Sequence, residues 1–191
     1  MHIVRRILIV GLVLCGVLQA SAAYVWLEGE TPTRANVKVN VAGGPAIVSE
    51  GKWLDFTEKA PEGGALFEYD FTAPAAGAYE VWNRMGMESQ RGPFAWRLDE
   101  GEWRQITGKE LTTDLMRIGF WAEISWLKLG NADITAGKHT LQIRVTEGKF
   151  RADAFCLSLG KFVPNSKFKP DEIWMTDADK QAADKIFSLD L

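Results

Sequence analysis

Nine short runs, at 24–30, 37–41, 65–71, 78–85, 94–98, 102–106, 124–129, 140–145 and 152–159, are apolar or alternate apolar with polar, and Gly, Pro, Asn and Asp break the chain between them. Side chains alternate across an extended strand, so a period of two marks a strand with one buried and one wet face. Phe67, Tyr69 and Phe71 alternate in this way with Leu66, Glu68 and Asp70, and Leu141, Ile143 and Val145 alternate with Gln142 and Arg144. Pro74-Ala-Ala-Gly77 and Asp133-Ile-Thr-Ala-Gly137 are turns that feed directly into strands. No stretch before about residue 175 has the 3.6-residue period of a helix. Many short strands with frequent turns predict an all-β fold, a two-sheet antiparallel β-sandwich of jelly-roll type.

The two ends of the chain differ in character. Arg5 and Arg6, the apolar run 7–18 and the small residues Ala20-Ser-Ala-Ala23 have the three-part layout of a secretory signal, with cleavage expected after Ala22 or Ala23. The apolar run is shorter than the roughly 20 residues a membrane-spanning helix needs. The sequence thus divides into a signal at 1–23, a sandwich at 24–164, and a linker with a C-terminal helix at 165–191, and it predicts a secreted, periplasmic or cell-surface protein. In that helix Thr176 is the cap, Asp177 and Asp179 lie in the first turn, and Ala178, Ala182, Ile186 and Leu189 form one stripe. The stripe either docks on the sandwich or offers a protein partner a binding surface.

Loss of the signal removes two arginines and no acid, which moves the net charge from −3 to −5 and argues against nucleic acid as a partner. Cys15 leaves with the signal, so Cys156 has no internal disulfide partner and reads as a small buried hydrophobe. His139 is then the only histidine, too few for a histidine-based metal centre. No nucleophile elbow, phosphate loop or dinucleotide fingerprint is present, and Asp99, Glu100 and Glu102 read as solvated acids of a hairpin turn. A catalytic role is not expected.

Val25-Trp26-Leu27-Glu28-Gly29-Glu30 sets two carboxylates on the strand face that carries Trp26, a face expected to be buried. Such acids either face solvent at a strand edge, pair with Arg34 or Arg151, or share a hard divalent cation with oxygen ligands. Asp153, in the last apolar strand, is the third candidate ligand. All eight tryptophans lie beyond the signal, and a surplus over what a core needs favours a recognition surface. Trp26 and Trp96 read as core. Trp103, after the acidic turn, and Trp121, in an irregular stretch, are candidate platforms for a sugar ring. Trp82 and Arg84 share a strand face, and Arg91 lies in the polar loop 88–93 and would favour an acidic sugar.

The order of motifs resembles the calcium-binding β-sandwich carbohydrate-binding modules of families 6 and 35. The matching segments are Glu28-Gly29-Glu30 in the opening strand, Ser49-Glu-Gly-Lys-Trp-Leu54 as a turn before a short strand, and Pro74-Ala-Ala-Gly77-Ala-Tyr79-Glu-Val-Trp-Asn-Arg84. Ala136-Gly-Lys-His-Thr-Leu141 and Asp153-Ala-Phe155 follow in the same order. The sequence departs from the pattern at Glu50, where a glycine is usual, and in the loop 85–93. The resemblance implies a galactose-binding-like sandwich, a structural Ca2+ held by Glu28, Glu30 and Asp153, and a non-catalytic module that binds a polysaccharide or oligosaccharide. The competing expectation is a structural or assembly domain that meets a protein partner through an aromatic face or the C-terminal helix.

Overall fold

The computed structural model describes residues 23–43, 46–86, 93–117 and 123–172, so the signal segment, Arg91, Trp121 and the expected C-terminal helix lie outside the described residues. Twelve strands are described: β1 Tyr24–Glu28, β2 Arg34–Ala35, β3 Val41–Gly43, β4 Lys52–Phe56, β5 Ala65–Ala73, β6 Gly77–Gly86, β7 Phe94–Leu98, β8 Arg104–Ile106, β9 Thr112–Arg117, β10 Glu123–Ile134, β11 Gly137–Val145 and β12 Phe150–Leu159. The larger sheet runs β3-β4-β12-β6-β10-β9, with β1 also pairing β12, and the smaller runs β2-β5-β11-β7-β8. Every named strand pair is antiparallel. Among the described residues no helix is long and apolar enough to cross a membrane.

The alternation read from the sequence sets the sandwich core. Phe67 and Tyr69 of β5 and Leu141, Ile143 and Val145 of β11 are buried and point toward the larger sheet, where Val81, Met85, Phe155 and Leu157 meet them. Phe67 stacks on Phe150 and meets Phe56 edge-on, and Tyr69 packs against Phe155 at 4.9 Å between ring centroids. Full burial of one such side chain is worth about 1.5–3 kcal/mol.

Two of the three register shifts among the described strands change which side chains face the core. On β12 the register against β6 jumps between Ala152 and Ala154, which leaves Asp153 as the extra residue. Phe150 and Ala152 face the core before the jump, and Phe155 and Leu157 face it afterwards. On β10 the jump falls between Lys128 and Gly130. Gly130 adopts φ +153°, and a Cβ there would lie 3.1 Å from the Trp96 ring, so both backbone and space favour glycine.

A second apolar cluster covers the outer face of the larger sheet. Trp126, Ala154, Cys156 and Phe162 are buried in it, with Tyr24, Trp26 and Trp82 half-buried around them. Trp96 is core as expected, but Trp26 lies on this outer face, and the chain after β12 buries it instead of the sandwich interior. Burial pushes the Cys156 thiol up to about 12, in keeping with an inert hydrophobe. Of the expected strands, 37–41 is corrected: residues 36–40 are irregular, and the Asn36 side chain ties them down by donating to Gly64 O and accepting from Leu66 N–H.

Candidate functional site

The opening acids sit where β1 ends against β12. Glu28 is opposite Ala154, and Gly29 N–H donates to Asp153 O at 2.8 Å. A Cβ at Gly29 would lie 2.1 Å from Ala152 O, so this approach requires glycine. Glu28 Oε1 accepts from Trp26 Nε1 at 2.9 Å, while Glu28 Oε2 and Glu30 Oε2 are buried with no hydrogen-bond partner among the described residues. Burial raises the Glu30 carboxyl above its ordinary value, and the charges of Glu28 and Glu50 add to the rise.

Asp153 has other partners. Arg84 Nη1 donates to its Oδ2 at 2.7 Å, Ser49 N–H donates to its Oδ1 at 2.9 Å, and both side chains of the ion pair are fully buried. Burial pushes Asp153 up to about 7, with Arg84 opposing the rise and Glu28 adding to it. Arg84 Nη1 also donates to Ile47 O. Arg84 is therefore not available to a ligand, which corrects its place among the candidate binding residues: the bulge at Asp153 supplies a buried counter-charge that consumes the guanidinium. Among the described residues no group of three or more His, Cys, Asp or Glu side chains is placed to hold one metal ion. Two neighbouring acids with orphaned oxygens do suit a hard cation, and Asp153 is matched without one.

The aromatic candidates separate onto opposite faces. Trp82 donates Nε1 to Glu80 at 3.1 Å, and Phe162 packs edge-on against it at 5.7 Å. It supports the segment after β12 and does not stand as a free platform. Trp103 lies on the outer face of the smaller sheet, carried there by the Asp99–Gly101 turn, in which Gly101 N–H donates to Leu98 O. Arg97 and Arg144 place their guanidinium carbons 4.6 and 4.2 Å from the centre of its ring. Trp82 and Arg84 are thus not brought together with Trp103.

Sequence reasoning missed a polar cleft of about 540 Å³ at one end of the smaller sheet, lined by Arg34, Asp70, Asp99, His139 and Thr140 among others. Arg34 grips both oxygens of Asp70 and donates Nε to Glu68, and this guanidinium holds Asp70 below the usual carboxylate range. No sequence signal pairs these residues; the register of β2, which sets Arg34 opposite Glu68, brings them together. His139 Nδ1 lies 2.8 Å from Asp99 Oδ2, and its Nε2 lies 2.9 Å from Thr135 O. The Asp99 carboxylate and the Thr135 carbonyl favour a protonated ring that donates from both nitrogens, while the Thr135 hydroxyl, 3.2 Å from Nε2, can serve either form. The Asp99 bond raises the His139 pKa above its ordinary 6.5, against the pull of burial. A pKa raised on folding gives stability that is complete below the unfolded value and is lost as pH rises through the folded one. Melts between about pH 5 and pH 8 should show this loss, and Asp99→Asn should flatten it; an unchanged profile in the variant would remove His139 from the explanation.

No protein-family model matches the chain, and no curated protein matches it. Among solved structures it is similar to a GH26-CBM35 β-(1,4)-mannanase of Podospora anserina, at 15% identity and TM-score 0.53, over 78% of this chain and 30% of that one. It is similar to a Paenibacillus xanthan lyase at 17% identity and TM-score 0.53, over 69% of this chain and 13% of that one. A third likeness is to a carbohydrate-binding module of Cellvibrio mixtus lichenase 5A in complex with cellotriose, at 14% identity and TM-score 0.52, over 73% of this chain and 99% of that one. The chain therefore spans less than a third of the first two proteins and nearly all of the binding module. At such identities the likeness is one of fold, and the fold is that of carbohydrate-binding modules of families 6 and 35.

Proposed function

We propose that this protein is an exported, non-catalytic carbohydrate-binding module whose ligand is a polysaccharide or oligosaccharide. The observation that carries the reading is the match of its sandwich to nearly the full length of a module that holds cellotriose. Trp103 supports it from the chain's own residues, as a half-buried indole on an outer sheet face, the arrangement in which an aromatic ring meets the C–H face of a sugar. A glycan array of plant, algal and bacterial polysaccharides tests the reading. Binding to at least one class, weakened by about 1–3 kcal/mol in Trp103→Ala with little change in the melt, is the expected result. An array that stays silent while the protein captures a protein partner would replace it with an assembly role.

The same reading includes a structural Ca2+ ion, with Glu28 and Glu30 as side-chain ligands and Asp153 held back by Arg84. An ion bound only to the folded chain stabilises it by roughly 2.7 kcal/mol at a hundredfold excess over its Kd. EDTA should therefore lower Tm, and Glu30→Gln should blunt that response because one ligand charge and its repulsion with Glu28 are gone. A melt indifferent to EDTA rules the ion out.

A further inference from the structure

We infer that the outer face of the smaller sheet recognises an anionic group on a glycan, a carboxylate or a sulfate ester, through Arg144 and Arg97 beside Trp103; this rests on the glycan-binding reading above. Most of the other arginines on described strands are committed, the exception being Arg117, which lies 3.6 Å from Glu123 at an exposed edge of the larger sheet, without an aromatic contact among the described residues. Arg34 is paired with Glu68 and Asp70, Arg84 with Asp153 and Arg151 with Asp55, while Arg104 donates to Asn131 O. Arg144 has no ion pair among the described residues, and its Nε is buried with no hydrogen-bond partner. The one ion pair of Arg97 among the described residues is with Glu100 at 3.6 Å, and Glu100 is 90% exposed, so solvent screens that contact to little effect. Two uncompensated guanidinium groups thus stand side by side on a chain whose net charge is −3.

Their stacking on Trp103 points the same way. A guanidinium lying over an indole keeps its terminal Nη groups at the rim of the contact, and these are the donors an anion can reach, because Arg144 Nε is buried and Arg97 Nε is taken by Gln142. The donors are also held in place. Arg97 Nε donates to Gln142 Oε1, and Gln142 Nε2 donates to Glu68 Oε1. An oxyanion satisfies these donors, whereas a neutral sugar supplies hydroxyls that match them only singly. Trp103 adds the surface against which the ring bearing the anion can rest.

The test uses the whole chain with three probes: polygalacturonate for carboxylates, κ-carrageenan for sulfate esters, and cellohexaose as a neutral control. At least one acidic probe should bind, more tightly than cellohexaose, with affinity that falls as salt rises from about 50 to 200 mM. Arg144→Gln and Arg97→Gln should each weaken it about 10- to 100-fold, the range for a hydrogen bond to a charged group. Arg117→Gln, an equal loss of charge at an exposed position on the edge strand of the other sheet, should leave it unchanged. The acidic probe that binds identifies whether the anion is a carboxylate or a sulfate. Acidic binding indifferent to both variants, or cellohexaose bound in preference and equally by wild type and variants, overturns the inference and leaves the glycan reading standing. Binding to none of the three overturns the inference, and only a silent array would overturn the glycan reading with it.

Discussion

Replacing Arg84 with alanine is expected to lower stability by about 3–5 kcal/mol, because it leaves Asp153 as an uncompensated charge at a fully buried position. The guanidinium bridges two parts of the chain, the bulge of β12 through Asp153 and the loop before β4 through Ile47 O. Its loss should release both. Asp153→Ala should cost a similar amount by stranding the opposite charge. A double variant with Arg84→Met and Asp153→Leu should recover most of the loss, since an apolar pair of comparable bulk avoids desolvating either ion. Chemical denaturation of the four proteins checks this, and single variants within about 0.5 kcal/mol of wild type would show that the pair carries no weight in the fold.

Replacing Trp126 with alanine is expected to cost about 3–5 kcal/mol, the range for emptying a buried indole site. Its ring meets Trp26 at 5.5 Å and Phe162 at 5.0 Å between centroids, and its Nε1 donates to Ser166 O at 2.7 Å. The damage should therefore be concentrated in the segment after β12. Amide exchange across residues 161–172 should accelerate in the variant while that of β11, in the other sheet, stays near wild type. Trp126→Phe keeps most of the packing and loses the hydrogen bond, so it should cost only about 0.5–1.5 kcal/mol beyond the change in size. A Trp126→Ala protein with unaltered exchange at 161–172 would mean that this segment is not held by the cluster.

The fold class was legible in β5 and β11 because regular pairing preserves a period of two, and any reader of Phe67-Glu68-Tyr69-Asp70-Phe71 sees which side is wet. It was least legible where the period breaks. Asp153 and Gly130 each mark a change of phase within one strand, so strict alternation assigns half of β12 and half of β10 to the wrong side. Strand β4 was absent from the alternating runs although Leu54 and Phe56 face the core; only the resemblance placed a short strand after Ser49-Glu50-Gly51. Strand β9 was missed because it is an edge strand with a weak apolar signal, and Leu115 is largely exposed. The site was legible in its parts but not in its pairings. Glu28, Glu30 and Arg84 all compete for a relation with Asp153, and the choice depends on a bulge and on the loop that carries Ser49, neither of which has a signature in residue spacing. Trp103 was found as an aromatic beside a turn, but its two guanidinium neighbours come from β7 and β11, which only the sheet order brings together.

The first and last described segments of the domain touch: the Tyr24 hydroxyl donates to Asp171 Oδ1, and the chain between Leu159 and that contact lies over the larger sheet. A unit whose chain comes in and goes out at one place can be carried in a longer polypeptide much as a bead hangs from a thread, with no need for the flanking chain to cross its far side. The far side here is the smaller sheet, with Trp103 and its arginines. The described chain thus begins and ends on the face opposite that surface.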